Sequence, residues 1–258
     1  MRWPFFSGCS PHFLLIVCTL MLWGCATDKG QQSAQVDAPV NPVIDPAVRR
    51  WTPADQQTWH AVHFPGKKQT QFKLTRHQER QGLQADAKSS VSMLRQTVHV
   101  PPEQLGTLKF SWHVPELIDG ADMKLTTSSD SPVRLVLAFE GDRSQFSARN
   151  AMLSELARAL TGEEMPYATL MYVWSNQYPV GSIIPNLRTD RIQKIVVESG
   201  PQKLKQWNSY ERRIHADFEK AFGEKPGALI AIGVMTDSDN TRTETRAWYG
   251  DIQLIAPD

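Results

Sequence analysis

Short strand-like patterns recur along most of this chain, and they constrain its fold more than any other feature of the sequence. From residue 108 an apolar side chain occupies every second position, at Leu108, Phe110 and Trp112, until Pro115 ends the pattern. This alternation predicts a strand with Trp112 facing the core. Other stretches are continuous apolar runs, typical of strands buried on both faces. About nine such stretches are separated by turn residues, which favours an antiparallel sandwich or barrel. They are 71–75, 83–87, 92–100, 108–114, 133–139, 170–174, 192–198, 229–235 and 246–255.

The last two strands enclose a polar loop, which is our first candidate for a site. Leu229–Met235 is an apolar run, whereas Arg246–Ile255 alternates. From this alternation we expect Trp248 to face the core and Tyr249 to face away from it. The intervening loop, Thr236–Thr241, is rich in short side chains that carry oxygen.

Two further stretches have helical periodicity. The first spans 146–160 and ends near Gly162, and the second spans 207–222 and ends at Gly223. Glycine is common just after a helix because it adopts the left-handed conformation without strain. We expect each helix to pack its apolar face on the sheets.

The first 24 residues have the composition of an export signal. Arg2 precedes an apolar stretch, 13–22, which is too short to span a bilayer comfortably. Leu22, Gly24 and Cys25 then match a pattern that resembles the bacterial lipoprotein lipobox, in which the cysteine becomes the acylated first residue. We therefore predict a lipid anchor at Cys25.

The predicted mature chain has a tether and one domain. Residues 25–50 lack an apolar period and are rich in polar residues, which is typical of a flexible tether. Residues 51–258 form the predicted domain. Ala26 follows the cysteine, which resembles outer-membrane sorting, so we predict a location on the periplasmic face of the outer membrane.

Charge and cysteine content exclude several classes of function. The chain has 28 basic and 27 acidic residues, so its balance gives no electrostatic argument for a nucleic-acid partner. Nucleotide-binding glycine loops and a serine-hydrolase elbow are absent from the sequence. The mature domain is predicted to lack a disulfide, a thiol nucleophile and a cysteine-ligated zinc site, because all cysteines lie in the export region. They are Cys9, Cys18 and Cys25.

Several stretches of the predicted domain together carry a resemblance. They are 64–67, 108–114, 172–175, 197–200, 213–218 with 221–224, and 235–241 with 247–254. This set resembles the bacterial DUF3047 family, a domain of unknown function. The resemblance implies a jelly-roll-like domain of the periplasm or cell surface and brings no established activity. The closing stretch from Tyr249 to Ile252 also resembles the last strand of several carbohydrate-binding β-sandwiches, which is an analogy at the level of the fold.

The loop after the penultimate strand supplies most of the predicted ligand-binding residues. Asp237, Asp239 and Asn240 directly follow a buried strand, so the core holds the start of the loop. Fixed polar groups of this kind suit a binding site. Such oxygens also ligate calcium, but Arg242 stands where an EF-hand has its glycine. A turn whose side chains bond the backbone is the favoured alternative, so we predict no metal or other cofactor.

Three aromatic side chains complete the predicted binding site. Tyr172 and Trp174 share one face of their strand, and Tyr249 lies on the closing strand. If these residues line one concave face with the loop, sugar rings could stack on them. The alternative is that they belong to the core. On the binding interpretation, we expect that Asp237 can be replaced with little loss of stability.

Together, these patterns predict a mostly β, antiparallel jelly-roll-like β-sandwich with two helices packed on it. We predict a lipid-anchored envelope domain that binds a glycan or another envelope polymer. One alternative is a carboxylate-dependent enzyme that cleaves glycans, for which a cleft with two carboxyl groups about 5–10 Å apart would be evidence. The other is a structural or accessory lipoprotein without a small ligand. An open groove with exposed aromatic side chains would favour binding.

Overall fold

The computed structural model describes residues 48–52 and 56–257, all within one compact unit. The predicted signal, the predicted lipidation residue Cys25 and the predicted tether up to residue 47 lie outside the described residues. The last three residues of the predicted tether, 48–50, already belong to the first strand. Among the described residues, no helix has the length and apolarity needed to cross a membrane.

The first of two seven-stranded sheets is built around β6 (Thr107–His113), the sixth strand of the chain. Strand β11 pairs along one edge of β6, and β13 and β14 follow each other along the opposite edge. Strand β4 pairs with β13 and is followed by β3, whereas β1 pairs with β14. The strands are β1 (Val48–Trp51), β3 (Gln71–His77), β4 (Arg80–Lys88), β6 (Thr107–His113), β11 (Trp207–Arg213), β13 (Glu244–Tyr249) and β14 (Ile252–Ile255).

The second sheet carries the face on which the candidate site lies. Its order is β2-β5-β12-β7-β8-β10-β9. Within the described residues, β8 and β10 are a parallel pair, and the other strand pairs of the two sheets are antiparallel. The strands are β2 (His60–His63), β5 (Val91–Val100), β7 (Ser131–Phe139), β8 (Ala168–Ser175), β9 (Ile183–Pro185), β10 (Ile192–Ser199) and β12 (Leu229–Asp237).

One hydrophobic core fills the space between the two sheets. Alternate residues of β6 face it, including the fully buried Trp112, as the sequence predicted. Alternate residues of β7, β8 and β12 face it from the second sheet. These inward side chains include Leu135, Leu137, Leu170, Ile232 and Val234. The predicted fold class, an antiparallel sandwich with two helices, is confirmed.

On the closing strands, the residues that face the core differ from those predicted. Tyr249 faces the core and Trp248 lies on the outer face of the first sheet, where its indole stacks on His77 with ring centres 3.8 Å apart. Residues 250–251 interrupt the strand, so the alternation changes phase and Ile252 again faces the core. A continuous alternation across this break therefore assigned the wrong face to Trp248.

The first helix, α1 (Ala148–Thr161), attaches to the sheet through polar contacts. It ends at Gly162 in the left-handed conformation, with φ 80°, as the sequence predicted. However, its apolar face is not the buried one, because Leu156 and Leu160 are 52% and 61% exposed. The buried Asn150 instead exchanges hydrogen bonds with the loop after β9.

The second helix, α2 (Ile214–Phe222), is shorter than predicted. Residues 207–213 form β11, because they pair with β6 along its whole length. Helix α2 then buries Ile214 and Phe218 against the core and ends at the predicted Gly223, with φ 73°.

Candidate functional site

A groove of about 460 Å³ lies over the outer face of the second sheet. Its walls come from the turn after β2, the segment before β7, the end of α1, the loop after β9 and the loop after β12. The floor consists of outward-facing residues of four strands, namely Arg134, Met171, Lys194, Met235 and Asp237. Wall residues include Phe64, Lys67, Met123, Ser129, Leu160, Leu187, Arg188, Asp239 and Asn240.

A buried ion pair joins two strands of the floor. Asp237 ends β12, and Arg134 projects from the neighbouring strand β7. The Nε and Nη2 groups of Arg134 donate to the two carboxylate oxygens of Asp237 at 3.0 and 2.9 Å, and the Ser131 amide donates at 3.0 Å. Burial raises the pKa of Asp237 above its ordinary value, while Arg134 opposes this rise. The pair is thus a fixed feature of the floor.

The predicted loop is fastened by a carboxylate that the sequence did not single out. Asp130 accepts hydrogen bonds from Asn240 Nδ2 at 2.8 Å and from the amide and hydroxyl of Thr241, both at 2.7 Å. Asp239 forms an ion pair with Lys67 from the turn after β2. Asp237, Asp239 and Asn240 therefore lie together in the groove, and their contact with a ligand remains a prediction.

These carboxylates are close enough for one cation to contact three of them. Oxygens of Asp130, Asp237 and Asp239 all lie within 4.8 Å of one another. Each carboxylate nevertheless accepts protein donors already: Arg134 binds Asp237, Lys67 binds Asp239, and the loop binds Asp130. A calcium ion would have to displace these contacts. The loop is held mainly by other side chains rather than by the backbone of its own turn, and the absence of a metal remains a prediction.

The three predicted aromatic residues do not line the groove. Tyr172, Trp174 and Tyr249 are almost completely buried between the sheets. The Tyr172 hydroxyl donates to Asp217 at 2.8 Å, and the Tyr249 hydroxyl donates to the Met235 carbonyl at 2.6 Å. This corrects the expectation that they offer stacking faces to a sugar. Alternation separates the two faces of a strand but does not identify the inner one.

Two buried cations of the floor were not predicted from the sequence. Arg134 is the single polar residue of the run 133–139, and Lys194 is the single basic residue of the strand 192–198, which also contains Gln193 and Glu198. They are only 3% and 4% exposed. Burial lowers the pKa of Lys194 to about 8, and the nearby charge of Arg134 adds to this effect. A lone cation in a buried strand is unusual, and that signal could have identified both residues.

The chain was compared with proteins of known sequence and structure. No curated protein sequence matches it. Similar solved structures include a family 11 carbohydrate-binding module of a cellulosomal cellulase from Clostridium thermocellum, with 9% identity and a TM-score of 0.37, covering 78% of this chain and 88% of that one. Another is endoglucanase 3 of Trichoderma harzianum, from family GH12, with 7% identity and a TM-score of 0.37, covering 81% and 97%. Similarity this low carries no argument about function.

The family model described as a protein of unknown function, DUF3047, matches residues 57–253. The match covers both sheets apart from β1 and the end of β14, as well as every described residue that lines the groove. The family resemblance predicted from the sequence is confirmed, and the chain belongs to the DUF3047 family.

Proposed function

We propose that the groove over the second sheet binds a glycan or another polymer of the bacterial cell envelope. The observation that carries this proposal is a groove in which rigidly held polar groups lie beside apolar side chains. Asn240 and the ion-paired floor offer hydrogen-bonding groups to sugar hydroxyls. Met123, Met171 and Met235 offer adaptable apolar surface to the faces of the rings. Phe64 is the one aromatic residue among the described lining residues, so contact with methionine would replace most of the expected stacking.

The ion pairs of the groove favour binding over glycan cleavage. Two-carboxylate hydrolysis requires one group to donate a proton and the other to act as a free base or nucleophile. Asp237 and Asp239 are the acidic residues among the described lining residues, and both are paired with cations. Each would have to break its ion pair before it could take part in proton transfer.

The proposal includes a lipid anchor at Cys25, which would place the domain on the periplasmic face of the outer membrane. The lipobox-like sequence that ends at Cys25 and the polar tether after it support this location. Cys25→Ser should abolish the incorporation of labelled fatty acid. Cys18→Ser is a matched control, because it changes a cysteine inside the signal and should leave labelling unchanged. A wild-type protein that takes up no fatty acid would contradict the anchor.

Binding can be tested by changing the walls of the groove without disturbing the core. Leu160 and Leu187 line the groove and are 61% and 48% exposed, so replacing both with glutamine should not unfold the domain. Met152 and Val180 are similarly exposed but lie outside the groove lining, and their double replacement with glutamine is the matched control.

The measurement is calorimetric titration of the purified full-length protein, in detergent, with envelope oligosaccharides. The probes are soluble peptidoglycan fragments and core oligosaccharides of lipopolysaccharide. We expect the groove variant to lose about tenfold in affinity, which corresponds to about 1.4 kcal/mol, and the control to bind like wild type. The proposal fails if wild type binds none of these oligosaccharides, or if the two double variants bind equally well.

A further inference from the structure

Lys194 is a buried lysine without a partner. It lies on the outer face of β10, opposite Ile184 of β9 and Met171 of β8, and it is only 4% exposed. Its aliphatic stem can pack against these apolar neighbours. Among the described residues, however, none accepts a hydrogen bond from its ammonium group or forms an ion pair with it. The group lines the groove, so the groove is where a missing acceptor can enter.

Two other cations of the groove are already paired with carboxylates. Arg134 is bound by both oxygens of Asp237 and also donates to the Ser129 carbonyl at 2.6 Å. Lys67 is bound to Asp239. The charge of Asp237 is near enough to raise the pKa of Lys194, but burial and Arg134 outweigh it, and both oxygens of Asp237 are bound by Arg134. Lys194 therefore keeps a positive charge at the floor that no described residue meets with a hydrogen bond or ion pair, and Arg188 adds an exposed positive charge at the rim.

An unmatched charge in this position costs free energy, because burial removes water without supplying a counter-charge. The pKa of Lys194, lowered to about 8, reflects the same cost and still leaves the group mostly protonated at neutral pH. A ligand that brings a negative charge into the groove would offset this cost and form a charge-assisted hydrogen bond.

We propose that Lys194 binds an anionic group of the ligand, a carboxylate or a phosphate, and so selects acidic envelope sugars. This inference rests on the proposed function of the groove. The anionic group contacts Lys194 at the floor, and the remainder of the sugar extends along the methionine side chains towards Arg188 at the rim.

The first test needs no knowledge of the sugar. The ε-carbon of Lys194 is followed by NMR in the full-length protein during pH titrations with and without acetate or inorganic phosphate. A nearby anion favours the charged amine, so each probe should raise the pKa of Lys194 while leaving that of the exposed Lys225 unchanged. A pKa of Lys194 that neither anion raises would overturn the inference.

The second test uses three oligosaccharides that differ at one sugar. One carries glucuronic acid, one carries its uncharged methyl ester, and one carries glucose 6-phosphate. Wild type should bind an acidic form about ten- to a hundredfold more tightly than the ester, the range expected for one charge-assisted hydrogen bond. The better acidic form distinguishes a carboxylate ligand from a phosphate ligand. Lys194→Met should remove the preference, and Lys225→Met should keep it.

The outcomes separate this inference from the proposed function. Equal binding of the ester and both acidic forms, or an unchanged preference in Lys194→Met, would overturn the inference and leave glycan binding intact. If acetate or phosphate raises the pKa of Lys194 but no oligosaccharide binds, Lys194 is an anion site and the glycan proposal fails. Lys194→Met should fold at least as stably as wild type, because it removes an unmatched buried charge.

Discussion

The Asp237→Ala variant should be strongly destabilised, although the sequence places this residue at the start of a polar loop. The side chains of Asp237 and Arg134 are 5% and 3% exposed, and two hydrogen bonds join them. Removing the carboxylate leaves the guanidinium buried without a counter-charge, which typically costs about 3–5 kcal/mol. For a domain of this size, the melting temperature should fall by roughly 10 °C. The buried pair therefore reverses the expectation that Asp237 can be replaced with little loss of stability.

A matched control lies two residues further along the chain. Asp239 also lines the groove, but its partner Lys67 is 46% exposed and can return to water when the carboxylate is lost. Asp239→Ala should therefore cost only about 0–1 kcal/mol. Because both variants remove one carboxylate from the same loop, the difference between them measures the burial of the partner.

A double variant tests whether the loss of stability in Asp237→Ala comes from the buried cation that is left without a counter-charge. Arg134→Met combined with Asp237→Ala removes both charges and should recover most of the stability. The Ser131 amide loses its acceptor, so a residual cost of about 1–2 kcal/mol should remain. Urea unfolding, followed by tryptophan fluorescence and circular dichroism, gives the free energies. An Asp237→Ala variant within 1 kcal/mol of wild type, or a double variant no more stable than the single one, would refute the reasoning.

Two further predictions concern the first sheet. Trp112→Ala should cost about 3–5 kcal/mol because it empties the core. Trp248→Ala should cost about 3 kcal/mol, at the low end of that range: the indole is only 7% exposed, but it lies on the outer face of the sheet, where water can fill the space that it leaves. Urea unfolding of both variants compares them. Burial and the neighbouring His77 lower the pKa of His113 below its ordinary 6.5. The unfolded chain therefore binds the proton more readily than the folded chain. The free energy of unfolding should fall as the pH drops through about 6.5 towards the lower pKa of the folded state. Thermal melts across this range should show a shallower dependence for His113→Gln than for the control His60→Gln, and equal slopes would contradict this.

The sequence was informative wherever one strand face was clearly apolar. The alternation around Trp112 predicted both a strand and its inward face. The apolar run 229–235 correctly placed Asp237 at the end of a buried strand. Glycines 162 and 223 marked the ends of both helices, because left-handed termini favour glycine. These features depend on local physics, so they can be inferred before the fold is known.

The sequence was less informative where the decisive contact is distant along the chain. Residues 207–213 have apolar spacing compatible with a helix, and only pairing with β6 makes them a strand. Tyr172 and Trp174 lie on a strand whose two faces are both covered, so composition could not assign a face. The partner of Asp237 is Arg134, more than a hundred residues away in sequence, and no local pattern joins them.

The contrast between Arg134 and Lys194 predicts where an anionic ligand would bind within the groove. Both cations project from the outer face of the second sheet, and both are almost fully buried. Arg134 is held by two oxygens of Asp237, so an incoming anion would have to compete with a carboxylate that is already fixed. Lys194 has no such competitor among the described residues, and an anion that reaches it gains a hydrogen bond without breaking an ion pair. The anionic group should therefore bind at Lys194, while the Arg134–Asp237 pair supports the floor.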